Sequence, residues 1–251
     1  MNIWRAALRE YHLWRQSPRA RLRWLVRERH NPLSHKTFKL GDVELPYFVH
    51  PYNHTWVNER AVEIPVARYF LNSCRPSPTL EVGNVLSHYF DLGHTVVDMA
   101  EKCRYRPVIN SDLIEFFPSQ RFALIVSIST IEHVGWDETP RDEEKVMSTF
   151  FKLRSLLTPS GKALVTIPVG YNHFLDQRMR EASIDHARFQ CLKRVSRDNQ
   201  WVETDLADAL HCKYGYPFMN ANAVVFIHLS GDSVASLSPF SYRKSKTLKA
   251  D

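Results

Sequence analysis

Four polar clusters follow one another along this chain, each just past a short apolar run, and their residue types suit one nucleoside-bearing ligand. The first is Glu81-Val82-Gly83-Asn84-Val85, where a small residue lets a ligand approach the backbone. The second is Asp98, an acid placed to accept two hydrogen bonds from a ribose diol. The third is Ser111-Asp112-Leu113, suited to an adenine amino group. The fourth is Ser129-Thr130-Ile131-Glu132-His133, which faces the same crevice if the others do. Each alone has a structural explanation, since turn glycines and strand-end acids are common. Four in order at successive strand ends point to a shared site.

The elements that must position them are short apolar strands alternating with helices. Thr79–Val82, Thr95–Asp98, Pro107–Ile109, Phe122–Ile128, Lys162–Pro168, Gln190–Val195 and Asn222–Leu229 read as strands. The run at 122–128 is almost continuously apolar, as a parallel strand buried on both faces would be. Asp142 to Leu157 reads as a helix with Val146, Phe150, Leu153 and Leu157 inward, stopped by Pro159-Ser160-Gly161. Asn58 to Phe70 reads as a helix whose Pro65 marks a kink or a late start. Lys36 to Leu45 reads as a hairpin around Gly41-Asp42. This alternation predicts a doubly wound α/β fold with a mostly parallel, seven-stranded sheet. The expected organisation is a basic helical arm and irregular segment at 1–57, a domain at 58–241 and a basic tail at 242–251.

The runs TLEVGNVLSHYF, VVDMAE, VINSDLIEF, FALIVSISTIEHVGWDE and LRSLLTPSGKALVTIPVGYN together resemble a class I S-adenosylmethionine-dependent methyltransferase, over about residues 58–230. LLTPSGKALVTIP and SISTIEHV are its more specific parts. The EVGNV and EHVGWDE blocks look more narrowly like bacterial carbohydrate O-methyltransferases. The resemblance implies a Rossmann-like methyltransferase fold with S-adenosylmethionine held by Glu81, Gly83, Asn84, Asp98, Asp112, Leu113 and Ser129. It implies His133, with Glu132, as the catalytic pair, His133 taking the acceptor proton, and Trp136, Asp137, Tyr171, Asn172 and Asp176 around the acceptor. Asp137 and Glu138 have a second reading as caps of the following helix. Arg60 reaches either the methionine carboxylate of the cofactor or its neighbours Glu59 and Glu63. A divalent ion, with Asp137, Glu138 and Asp142 as donors, is not distinguished from solvated acids. One departure stands out: the first motif keeps a single glycine, Gly83, so its loop is expected to be less tight.

Charge sits at the ends. The net charge is +6, and residues 1–30 alone hold eight Arg against two Glu. The last ten residues add a second basic stretch, which leaves the body mildly acidic. Trp4, Trp14 and Trp24 accompany the N-terminal arginines. That combination suits either a helical arm packed on the body or peripheral contact with an anionic membrane. Cys74, Cys103, Cys191 and Cys212 form no CxxC pair and read as reduced thiols of a cytoplasmic protein. No serine-hydrolase elbow, P-loop or HExxH motif occurs. The expected partner is a small-molecule or oligosaccharide acceptor, with no nucleic acid, and the chain is expected as a monomer or homodimer. Two alternatives stay open: nucleic-acid methylation, and a methyltransferase fold kept as a non-catalytic binding module.

Overall fold

A computed structural model describes residues 17–73, 78–101 and 107–231. The expected helix within residues 1–16, the C-terminal tail, Cys74 and Cys103 lie outside the described residues. Helix α1 spans Pro18–Arg29, followed by a hairpin of β1 (Thr37–Leu40) and β2 (Val43–Pro46). Helix α2 (Arg60–Ser73) then leads into β3 (Thr79–Val82) and β4 (Thr95–Val97). The remaining elements are β5 (Phe122–Ile128), α3 (Lys145–Leu156), β6 (Leu157–Pro168), α4 (His173–Arg180), β7 (Arg188–Arg194), β8 (Trp201–Thr204) and β9 (Ala223–Ser230), with a short helical turn, Leu206–Ala209, between the last two.

Seven strands form one sheet in the order β4-β3-β5-β6-β9-β7-β8. The chain runs outward from β3 to β4, then crosses to β5 on the other side of β3. That reversal is a topological switch point, and it opens a crevice at the carboxyl ends of these three strands. The sheet is mixed rather than mostly parallel. β4, β3, β5 and β6 pair in parallel, whereas β6–β9, β9–β7 and β7–β8 are antiparallel. The all-buried β9 reads as a parallel strand because its neighbours and both layers cover it, so it shows no alternation. The expected strand at 107–109 contributes only a parallel bridge from Ile109 to Val97, on the outer side of β4.

Period-two alternation splits the core into two layers. On one face Leu124, Val126 and Ile128 of β5 meet Ala61, Ile64 and Phe70 of α2, together with Phe38, Leu40 and Leu45 of the hairpin. On the other, Ile125, Val165 and Ile227 meet Val146, Phe150 and Leu153 of α3. Pro65 lies inside α2 and lacks an N–H. The carbonyl of Ala61, left without that helical donor, accepts from Phe48 N at 2.9 Å. The proline thus frees the acceptor that ties the hairpin segment to the helix. Among the described residues no helix is long and apolar enough to cross a membrane.

Candidate active site

The loop after β3 is built around Gly83. Its φ is +83°, and a Cβ there would lie 2.1 Å from Thr130 Oγ1, so the position accepts only glycine. Neither Asn84 nor Val85 has positive φ. Carboxylates hold the rest of the loop. Glu81 Oε1 accepts from Val85 N at 2.9 Å and Leu86 N at 2.6 Å, and its Oε2 pairs with His94 Nε2 at 2.6 Å. Asp98 Oδ2 accepts from Asn84 N at 3.0 Å, and Gly83 N donates to Val97 O at 2.8 Å. The four backbone N–H groups from Gly83 to Leu86 are therefore all taken within the protein.

A cavity of about 240 Å³ opens at the switch point. Val82, Val97, Leu113 and Val134 give it apolar walls, and Asp98, Asp112, Asp137 and Glu138 give it acidic ones. Its volume falls below the roughly 300–1,000 Å³ of pockets that enclose a whole small molecule. Asp98 Oδ1 accepts from Ala100 N and Glu101 N at 2.9 and 2.7 Å. With Asn84 N, three of about four lone-pair sites are occupied, which leaves one for a ribose hydroxyl rather than two. Asp112 bonds Lys145 Nζ at 2.6 Å and accepts from Ile114 N at 2.9 Å. Burial alone would raise its pKa; Lys145 and the Ile114 N–H outweigh that and hold it below the ordinary carboxylate range. Lys145 also bonds Glu138 Oε2 at 2.6 Å, and Glu138 Oε1 accepts from Gly135 N instead of capping α3.

His133 lines the same cavity, with its side chain 45% exposed. Its Nδ1 lies 2.5 Å from Asp137 Oδ2, and Tyr171 donates to the same oxygen at 2.7 Å. Burial works to raise Asp137, but these two hydrogen bonds prevail and lower its pKa. Asp137 is thus an anion that accepts from Nδ1–H of His133, which leaves the lone pair on Nε2.

Of the residues expected at the site, Gly83, Asp98, Asp112, Leu113, His133 and Asp137 line this cavity. Glu81 and Asn84 shape the loop beside it. Ser129 turns instead toward α2 and donates to Glu63 Oε1 at 2.6 Å. Glu132 is 1% exposed and stands outside the cavity wall. The Trp136 ring is covered by Arg141, whose guanidinium carbon lies 3.9 Å from its centroid, with the edge of His173 against it. Asn172 is buried; it accepts from Leu175 N at the start of α4 and donates to Glu132 O. Asp176 is buried too, and its Oδ2 accepts from Gly170 N at 2.9 Å. Arg60 pairs with Glu63. Sequence reasoning missed Lys145, which lies among acids with no local signal, whereas Thr130 was named within the fourth cluster but given no role of its own. Among the described residues, no group of three or more His, Cys, Asp or Glu is placed to share a metal ion.

No protein-family model matches the chain. No curated protein matches it either. Solved structures do. The N-methyltransferase NodS from Bradyrhizobium japonicum, in complex with S-adenosyl-L-homocysteine, is 14% identical with a TM-score of 0.43, covering 68% of this chain and 85% of that one. A SAM-dependent methyltransferase from Thermotoga maritima is 12% identical, TM-score 0.44, covering 89% of this chain and 100% of that one. Another from Archaeoglobus fulgidus is 13% identical, TM-score 0.44, covering 66% and 92%. Identities this low with TM-scores below 0.5 transfer no activity, acceptor or residue role to this chain.

Proposed function

We propose that this chain is an S-adenosylmethionine-dependent methyltransferase that acts on a hydroxyl oxygen of a carbohydrate-class acceptor. One observation carries the cofactor reading. The switch-point cavity is walled by carboxylates, and the loop N–H groups that would cradle a pyrophosphate are all used internally. Such a site disfavours a phosphate-bearing dinucleotide and favours a neutral nucleoside that carries a cationic sulfonium. When bound, S-adenosylmethionine supplies an activated methyl group on that sulfonium.

The chain's own residues do the rest. Asp98 offers its remaining lone pair to a ribose hydroxyl, Asp112 accepts from an adenine amino group, and Val97, Leu113 and Val134 flank the ring. The cavity volume suits the nucleoside half, with the remainder extending toward His133. Asp137 fixes the imidazole through Nδ1, so Nε2 takes the proton of an acceptor hydroxyl. Tyr171 holds Asp137 from the opposite side.

Calorimetry with S-adenosylhomocysteine tests the cofactor, and methyl incorporation across hydroxyl, amine and nucleic-acid acceptors tests the transfer. Cofactor binding with turnover on hydroxyl compounds is expected. His133→Ala should lose roughly 10²–10⁴-fold in turnover while it keeps the parent's affinity for S-adenosylhomocysteine. Absence of cofactor binding would leave a non-catalytic module. Turnover on amines or nucleic acid alone would replace the acceptor class.

A further inference from the structure

Behind His133 lies a group of buried ionisable side chains that the chemistry above does not use. Glu63 of α2 accepts from Ser129 Oγ and Thr166 Oγ1 at 2.6 Å each and pairs with Arg60. Its charge is matched. Glu59 accepts from Ala221 N at 3.2 Å and faces Arg60 and Arg194. Arg194, however, spends its guanidinium on the carbonyls of Val57, Ser196, Arg197 and Met219. Glu132 completes the group and is not matched. It is 1% exposed, its Oε2 is buried without a partner, and its Oε1 lies 3.7 Å from His133 Nε2. Its carboxyl feels the charges of Glu63, Arg60 and Glu59. The Tyr89 hydroxyl, also buried without a partner, faces the same three.

We propose that this group is the acceptor's recognition subsite and takes a positively charged ammonium, so that the acceptor is an amine-bearing hydroxylated compound of the amino-sugar kind. The inference rests on the methyl-transfer reading only for what happens at the acceptor's other end. A neutral hydroxyl would satisfy one lone pair and leave Glu132 with no cation of its own, since Arg60 is paired with Glu63 and Arg194 is spent on carbonyls. An ammonium brings three donors and the missing charge together. Tyr214, 38% exposed, feels the charges of Glu59 and Glu132 and packs its ring edge-on against Tyr171, whose own ring meets His133.

The same geometry fixes a proton balance. With no cation present, burial chiefly, and the neighbouring Glu63 and Glu59, push the Glu132 carboxyl well above the ordinary range, while its own backbone N–H and Arg60 pull the other way. Glu132 therefore keeps its proton to a higher pH than an ordinary carboxyl when the subsite is empty. An entering ammonium makes the carboxylate the favoured form, and the carboxyl proton leaves to solvent. Affinity then rises as pH rises toward the raised Glu132 pKa. Glu59, raised mainly by burial and also by Glu63, shares in that exchange, while burial holds the Tyr171 and Tyr214 phenols above their ordinary range, so both stay neutral.

The test is ligand-observed NMR on the full chain, with 6-amino-6-deoxyglucose and glucose as matched probes and S-adenosylhomocysteine binding measured separately. The amino sugar should bind at least about tenfold more tightly than glucose, with the ratio growing from acid to neutral pH. Glu132→Gln is isosteric with the protonated carboxyl. It should fold as the parent does, keep its affinity for S-adenosylhomocysteine, and lose both the preference and its pH dependence. Glu59→Gln provides a second reading and should weaken the preference in the same direction. Equal binding of the two probes, binding of neither, or a preference that survives Glu132→Gln would overturn the proposal. A parent that shows the preference but does not bind S-adenosylhomocysteine would overturn the methyl-transfer reading alone.

Discussion

Asp98 spends most of its carboxylate on the loop it closes, so its removal has two effects. Asp98→Ala leaves the N–H groups of Asn84, Ala100 and Glu101 without their acceptor and also removes the one lone pair left for a ribose hydroxyl. Affinity for S-adenosylhomocysteine should fall by about 1.5–3 kcal/mol, the worth of a charge-assisted hydrogen bond, and thermal stability should fall with it. Unchanged affinity in a folded variant would leave Asp98 a purely structural residue. Asp176 is the converse case. Burial raises its pKa to about 6, against the pull of the Gly170 N–H, His173 and Arg180. The unfolded value is about 3.9, so the folded state binds more protons between roughly pH 4 and pH 6. The group's contribution is therefore full below that window and is lost as pH rises through it. Asp176→Asn keeps an acceptor for Gly170 N and removes the ionisation. It should stabilise the chain at neutral pH by about 2–3 kcal/mol and flatten the slope across that window. Denaturant titrations of parent and variant at several pH values decide this; a difference that does not vary with pH would remove Asp176 as its source.

At the scale of elements, the lone glycine of the first loop is the sharpest constraint. A side chain at Gly83 meets Thr130 and must also hold φ at +83°. Gly83→Ala should cost on the order of 1–3 kcal/mol from backbone strain alone, with the contact added to that. Pairing it with Thr130→Ala should recover the contact and leave the strain. An unchanged melting temperature for the single variant would contradict this geometry. The glycine was legible in the sequence, but what replaces its missing partners was not. Glu81 and Asp98 hold the loop through side-chain acceptors, and that role leaves no mark in a spacing pattern. The apolar runs that became β3, β5 and β6 were legible because strands buried on both faces read as near-continuous apolar stretches set off by helical segments. β8 was not, since Trp201–Thr204 is a four-residue edge strand with only one buried side chain. Asn172 carried a readable signal, an amide three residues before Leu175, yet its helix of eight residues is too short to show a periodic face.

Over the whole molecule, the strand ends around the switch point were readable because topology gathers successive carboxyl ends. The buried group around Glu132 was not, because Glu63 meets Thr166 across 103 residues of chain. Charge is distributed on the same large scale. Residues 1–30 hold the whole net charge of +6, and within them α1 has five Arg and one Glu. Leu22 and Leu25 of that helix are 64% and 54% exposed, so these two do not pack on the body. They lie three residues apart and share one face. A basic helix with leucines on an open face adsorbs to an anionic lipid surface, where each cation near the surface adds about 1 kcal/mol. The full chain should therefore cosediment with vesicles containing anionic lipid and not with zwitterionic ones. Binding should decline steeply with added salt, because the screening length shortens from about 10 Å at 0.1 M to about 3 Å at 1 M. Replacing Leu22 and Leu25 together with Ser should weaken it at constant charge, which separates the apolar contribution from the electrostatic one. Binding that ignores salt, or that persists undiminished in the double variant, would assign the arginines to ordinary solvation and leave the arm without a membrane role.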